Sequence, residues 1–317
     1  MKRRILGAAA LISIVLIHGS CYKTGELIPQ VTCKPTFISF RYPYENNFYY
    51  TVNFATGNPS GEYTEFNITY DNNRRLISAL ATGHPQFSND GGSFYDIFKF
   101  NFSYDGKGNM VRIDEYDTSI ANLNYPVVYI IYTYPPNTTG SISSTLQTQR
   151  FYLNNILQTV QGSAPVYIPQ HVLTNNFNTE FQLVSVYDGG TLLELRTYDF
   201  GGNMQTDTVY AGLQKPLAIG ITGYDSQINP GRSDRTIQLF LCLYSKNNLL
   251  GWNAYTFDPA NGGNGWAPLY NTGGNSFYTY IPQGYPSDFG PKAYADYACL
   301  VAPGPPVINP GPGAAGN

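Results

Sequence analysis

The chain has 317 residues, of which 42% are hydrophobic and only 12% charged. Gly, Pro and Tyr (32, 22 and 28 residues) take the share that Ala, Glu, Lys, Leu and Arg hold in coiled coils and helical bundles, which excludes those classes. With 18 Lys and Arg against 21 Asp and Glu there is no basic excess, so no nucleic-acid partner is expected.

Lys2, Arg3 and Arg4 precede an apolar run from Ile5 to Ile17. A spanning helix needs about 20 apolar residues, so this run is too short to remain in a bilayer. A basic start before a short apolar stretch is the pattern of a secretory signal, assigned here to residues 1–20. His18-Gly19-Ser20-Cys21 follows. The junction resembles the lipobox of bacterial lipoproteins, of the Bacteroidota type, with His18 standing where that family prefers an apolar residue. The resemblance implies that Cys21 becomes the first residue of the mature chain and carries acyl chains. It thereby implies a membrane partner through a lipid anchor, at the outer membrane, on its periplasmic face or on the cell surface. Two or more acyl chains hold a protein firmly where one does not. Removal of the three cations takes the net charge from −3 to −6.

Residues 21–40 read as an extended leader carrying Pro29 and Pro35. Export permits disulfides. Cys33, Cys242 and Cys299 allow one bridge and one thiol, or three buried thiols. Cys33 and Cys299 stand at the two ends of the expected domain, and domain ends are often close in space, so they form the candidate pair.

From residue 41 to about residue 300 the pattern is strand after strand. Phe66-Asn67-Ile68-Thr69-Tyr70 and Phe98-Lys99-Phe100-Asn101-Phe102-Ser103-Tyr104 alternate strictly. Period two places all the rings on one face, as in an antiparallel sheet with one solvated side. Val127–Tyr132 and Ile237–Tyr244 are apolar on both faces and read as central, doubly covered strands. Residues 162–180, rich in Pro and Asn, read as a linker or crossing loop between possible halves at 41–161 and 181–300. Residues 258–275 read as a Gly- and Asn-rich loop around Trp266. The Pro- and Gly-rich residues 301–317 are expected to be a disordered tail.

A short motif recurs. Tyr70-Asp71 leads to Leu76, Tyr104-Asp105 to Met110, Tyr187-Asp188 to Leu193 and Tyr198-Asp199 to Met204, with a degenerate copy from Tyr244 to Leu250. An aromatic closes one strand, and an aliphatic residue six positions later opens the next. The Asp, Gly and Asn between them supply the left-handed backbone of a hairpin. The motif resembles the Tyr-Asp repeats of the Rhs/YD type. It is also similar to uncharacterised Bacteroidota lipoproteins with strand-turn-strand units. The resemblance implies a meander of successive hairpins.

No catalytic motif stands out, and neither a metal nor a cofactor is expected. His84 and His171 both sit in loop-like contexts without a nucleophile motif. Asp225 to Asp234 has oxygen ligands at alternate positions, but Pro230 occupies the place of the calcium-loop glycine. Glycoside hydrolysis needs two carboxylates about 5–9.5 Å apart, for which Asp114, Glu115, Asp117 and Glu194 are candidates. Aromatics crowd residues 252–280. They either fill a β core or form a recognition platform, with Trp266, Trp252 and Tyr270 as candidate ligand-binding residues.

The sequence therefore reads as an all-β, antiparallel meander of hairpins forming a large curled sheet, sandwich or barrel-like domain. The expected function is a non-enzymatic, lipid-anchored binding module for a glycan or a surface protein. The alternative is a polysaccharide hydrolase with paired carboxylates.

Overall fold

The computed structural model of the chain describes residues 32–40, 64–85, 95–140, 143–210, 217–229, 231, 234–241, 244–257, 266–272, 279–280, 282, 286–288 and 294–300. The expected signal segment, Cys21, Cys242 and the tail lie outside the described residues. Lys34–Ala298 is one compact unit. The residues flanking it, Cys33 and Cys299, are joined by a disulfide with an S–S distance of 2.05 Å.

Seventeen strands and two short helices occur among the described residues. They are β1 (Thr32–Phe40), β2 (Thr64–Tyr70), β3 (Leu76–Pro85), β4 (Tyr95–Tyr104), β5 (Met110–Asp117), β6 (Val128–Thr133), β7 (Thr145–Leu153), α1 (Ile156–Val160), β8 (Tyr167–Phe177) and β9 (Leu183–Asp188). There follow β10 (Thr191–Tyr198), β11 (Met204–Val209), β12 (Leu217–Ile228), α2 (Arg235–Leu241), β13 (Asn247–Phe257), β14 (Trp266–Thr272), β15 (Thr279–Tyr280), β16 (Pro286–Asp288) and β17 (Tyr294–Leu300). From β1 to β14 each strand pairs antiparallel with the next. β15, β16 and β17 pair in the same way. The fold is the antiparallel meander that the alternation predicts, and among the described residues the ladder does not close into a barrel.

The alternating strands bury the face expected of them. Phe66 and Ile68 of β2 and Phe98, Phe100 and Phe102 of β4 are buried, while Asn67, Lys99 and Ser103 face out. They join Leu76, Ala79, Met110, Ile113 and Leu146 in one core.

The core is completed by α2, in a segment that the sequence reads as a strand. Ile237, Phe240 and Leu241 are buried against the sheet. The Phe240 ring meets those of Phe66, Phe100 and Phe102 at centroid distances of 5.6, 5.2 and 4.9 Å. A run apolar on both faces fits a buried helix as well as a buried strand. Asp234 decides the matter locally: its Oδ1 accepts the Thr236 N–H at 2.7 Å, and its carbonyl accepts the Gln238 N–H at 2.9 Å. Lys34 holds Asp234 through an ion pair.

Two further segments differ from expectation. Residues 167–177, within the expected linker, form β8, which pairs with both β7 and β9. Their Asn and Thr side chains bond across strands instead of to local backbone; Asn175 Nδ2, for example, donates to Leu146 O and Thr148 Oγ1 at 3.1 Å. Residues 266–272, within the expected loop, form β14 and pair with β13.

Four hairpins share one turn. In each, the aromatic and the aliphatic residue six positions later are cross-strand partners: Tyr70 with Leu76, Tyr104 with Met110, Phe177 with Leu183, and Tyr198 with Met204. The fifth residue of each unit has a left-handed backbone, at Arg74, Gly108, Phe181 and Gly202 (φ 61°, 81°, 58° and 81°). The residue after the aromatic turns its side chain onto the loop's own N–H groups. Asp105 Oδ1 accepts from Lys107 N and Asn109 N at 2.9 and 2.8 Å, and Asn178 Oδ1 accepts from Glu180 N and Gln182 N at 3.0 Å. These loop hydrogen bonds hold the half-buried carboxyls of Asp71 and Asp105 below their ordinary range. For Asp71 the backbone bond from Arg75 leads; for Asp105 the bonds from Asn109 and Lys107 outweigh the opposing effect of desolvation.

The sequence motif and the structural turn do not coincide everywhere. The Phe177 copy was not read from the sequence, because Asn replaces Asp and Glu180-Phe181 replaces the glycines. Tyr187-Asp188-Gly189-Gly190 instead makes a two-residue turn pairing Asp188 with Thr191. The stretch from Tyr244 is not a hairpin: Lys246 N donates to Gly202 O at 3.0 Å, and Asn247 N to Asn203 Oδ1 at 2.8 Å, so it runs beside another turn.

Candidate ligand-binding face

Behind the core, the outer face of β4 to β8 carries a mixed polar and aromatic row. Register alone builds it: Asn101 opposes Asp114, Asp114 opposes Tyr129, Tyr129 opposes Phe151, and Phe151 opposes Pro169. Four strand spacings make the row about 19 Å long. The Tyr129 and Phe151 rings stack at 4.5 Å with 13° between planes. Tyr167 meets Tyr129 edge-on at 4.8 Å and donates its hydroxyl to Pro126 O at 2.8 Å. Arg112 lies over the Tyr129 ring at 4.0 Å and pairs with Asp114 at 2.6 Å. Ring stacking and the cation–π contact hold these side chains in fixed rotamers, each contact contributing about 0.5–1.5 kcal/mol.

Asn101, Arg112, Asp114, Tyr116, Tyr129, Phe151 and Tyr167 are all half-buried, so their outer edges meet solvent. Burial pushes the Tyr167 hydroxyl up to about 12, with Arg112 opposing and Asp114 adding. Burial, and after it Asp114, also raises the Tyr116 hydroxyl. The Tyr116 and Tyr167 hydroxyls are therefore neutral, and the face carries one internally compensated ion pair.

The carboxylates considered for hydrolysis lie elsewhere or are engaged. Asp114 is bound to Arg112. Glu115 and Asp117 point to the buried side of β5, where Asp117 Oδ1 accepts the Ser119 N–H at 2.9 Å. Glu194 belongs to a buried trio: Arg196 donates Nε and Nη2 to Glu194 Oε1, both at 2.7 Å, and Nη2 also reaches Asp207 Oδ2 at 3.3 Å. All three side chains are 3–5% exposed. Burial pushes the Asp207 carboxyl well above the usual carboxylate range; Arg196 opposes this and Glu194 adds to it. Asp207 Oδ1 is buried without a hydrogen-bond partner.

The remaining candidates are placed as follows. Trp252 is in β13, and Trp266 and Tyr270 are in β14. Backbone register puts Trp252 opposite Thr272, Phe257 opposite Trp266 and Ala254 opposite Tyr270. Their side chains lie outside the described residues. His84 is in β3 opposite Asp96. His171 is exposed on β8, with Nδ1 on Asp188 Oδ2. Asp225 and Asn229 spend their side-chain oxygens on the N–H groups of Gln227 and Gly231. Among the described residues no group of three His, Cys, Asp or Glu could hold a metal ion. Among the same residues no helix is long and apolar enough to cross a membrane.

The outer row escaped sequence reading. Its members come from five strands, and only the register of four hairpins assembles them. The available signal was the polar phase of β4 and β5 read together with Tyr129 and Phe151.

No family model matches the sequence, and no curated protein matches it. Among solved structures, a porin-like protein from Bacteroides uniformis ATCC 8492 superposes with a TM-score of 0.38 and 10% identity, over 84% of this chain and 94% of that one. The TcdB2-TccC3-TEV structure superposes with a TM-score of 0.25 and 14% identity, over 74% of this chain and 12% of that one. At these scores neither superposition bears on function.

Proposed function

We propose that the chain is an exported, lipid-anchored binding module that recognises a glycan through the outer face of β4 to β8. One observation carries the reading: the half-exposed row of Asn101, Asp114, Tyr129 and Phe151, locked by Arg112 and Tyr167. A sugar chain offers C–H patches and hydroxyls in alternation. The row offers ring edges beside an amide, a carboxylate and a guanidinium, all fixed before the ligand arrives. Preorganised groups on strands lose little entropy on binding. The export signal and acylation of Cys21 rest on residues 1–21, with their basic, apolar and small-residue segments. The common register of the Tyr70, Tyr104 and Tyr198 turns supports reading them as repeats of the Tyr-Asp type.

A glycan array compares the wild type with Phe151→Ala and Asp114→Asn. The proposal expects saturable binding to a polysaccharide class and at least tenfold weaker binding by both variants. Equal binding by all three removes the face from recognition. Binding to a surface protein and to no glycan overturns the ligand class. Labelling with a fatty acid, lost in Cys21→Ala, tests the anchor separately.

A further inference from the structure

The Cys33–Cys299 bridge spans 266 residues of sequence. It joins the two positions immediately outside the Lys34–Ala298 unit. The next residue inward on either side is tied to a single turn. Lys34 Nζ donates to the carbonyl of Arg74 at 2.6 Å, and Arg74 Nη2 donates to the carbonyl of Ala298 at 3.1 Å. Lys34 also lies over the Tyr70 ring at 5.4 Å and pairs with Asp234, which caps the helix that fills the core. Both chain ends of the domain therefore converge on Arg74, with a covalent bond just outside them.

We propose that this arrangement is a mechanical bypass: when the segments before Cys33 and after Cys299 are pulled apart, tension runs through the disulfide and residues 34–298 carry none of it. The path follows from connectivity. Any force entering at one cysteine leaves at the other across the S–S bond, and residues 34–298 form a closed covalent loop in parallel with that bond. Without the bridge, the same force falls first on the Lys34 and Ala298 contacts to Arg74. It also falls on the pairing of β1 with β17 and then on the β1–β2 ladder, whose loss exposes Phe66 and Phe240. The device suits a surface protein held at one end and loaded at the other. It does not depend on what tethers the N-terminal segment or on whether the outer face binds a glycan.

The test is single-molecule stretching of the full chain by handles attached immediately outside Cys33 and Cys299. The wild type is expected to show no stepwise gain in length before the handles fail. Arg74→Ala, with the bridge intact, is expected to give the same trace. Cys33→Ser/Cys299→Ser is expected to release a length on the order of 900 Å, from 266 residues at about 3.4 Å each. Stepwise lengthening of the oxidised wild type or of Arg74→Ala overturns the bypass, whether or not the double variant folds.

Discussion

Tyr104 donates its hydroxyl to the carbonyl of Leu76 at 2.7 Å across 28 residues of sequence. Leu76 opens the strand after the first shared turn, and a register shift beside it breaks the ladder. The pairing recurs: Tyr134 donates to Met110 O at 3.0 Å, Tyr198 to Leu183 O at 2.8 Å, and Tyr224 to Met204 O at 2.7 Å. In every case the acceptor is the aliphatic residue that follows a shared turn, and the donor comes from later in the chain. A bulge interrupts ladder bonding, and the tyrosine supplies a donor at that point. The recurring Tyr is thus explained by what it does for the preceding hairpin as well as for its own.

Removing one such hydroxyl leaves a buried carbonyl unpaired, which costs about 1–3 kcal/mol. Tyr104→Phe and Tyr198→Phe are each expected to lower the urea midpoint accordingly, whereas Tyr125→Phe, at an exposed ring, leaves it unchanged. Burial pushes the Tyr104 and Tyr224 hydroxyls up to about 12, and those of Tyr70 and Tyr198 further. These folded values lie above the unfolded one of about 10. The unfolded chain then releases protons that the folded chain keeps, so stability falls as pH rises above about 10. Denaturation midpoints across that range, with and without Tyr104→Phe, report the slope.

The left-handed turn position separates backbone cost from crowding. A Cβ at Gly108 meets nothing within 4 Å, so Gly108→Ala is expected to cost only the conformational penalty of about 1–2 kcal/mol. At Gly202 the added Cβ falls 2.8 Å from Glu180 Oε2, and Gly202→Ala is expected to cost more than Gly108→Ala. If the glutamate simply swings away, Gly202→Ala combined with Glu180→Ala gains nothing over Gly202→Ala alone. Thermal melts of the three variants decide.

Phe240 packs on the buried face of the sheet against the rings of β2 and β4. Phe240→Ala is expected to cost about 3–5 kcal/mol, as buried Phe truncations do. Near-ultraviolet dichroism should show loss of the aromatic packing at Phe66, Phe100 and Phe102. An unchanged melting temperature would mean that α2 does not complete the core.

The buried trio gives a second pH signature, of the same sign at lower pH. Burial raises the Asp207 carboxyl well above the usual carboxylate range in the fold, while in the unfolded chain it ionises near pH 4. Stability from this group is full below that value and declines as pH rises toward the folded value. Asp207→Asn mimics the protonated acid and is expected to flatten the stability profile above about pH 4. A wild-type profile already flat there would show that Asp207 is ionised in the fold.

The parts of the fold visible in the sequence were those set by local pattern. Phe98-x-Phe100-x-Phe102 declares its buried face by period two, and Tyr104 to Met110 declares its turn by Asp and Gly. Ile237–Tyr244 reads as a strand because being apolar on both faces does not separate strand from helix. Phe181 conceals the third of the four turns because a bulky residue there adopts a backbone usually left to glycine. Glu194 stands out as a carboxylate, but its neighbour Asp207 lies on another strand, and only the fold brings the two together around Arg196. Arg112, Tyr129, Phe151 and Tyr167 each look unremarkable alone; register makes them neighbours.

The most direct measurement is side-chain footprinting of the protein with and without a glycan selected on the array. The account predicts protection of Tyr116, Tyr129, Phe151 and Tyr167, with the exposed Phe200 equally labelled in both states. Protection confined to other surfaces, with these four residues unchanged, would contradict it.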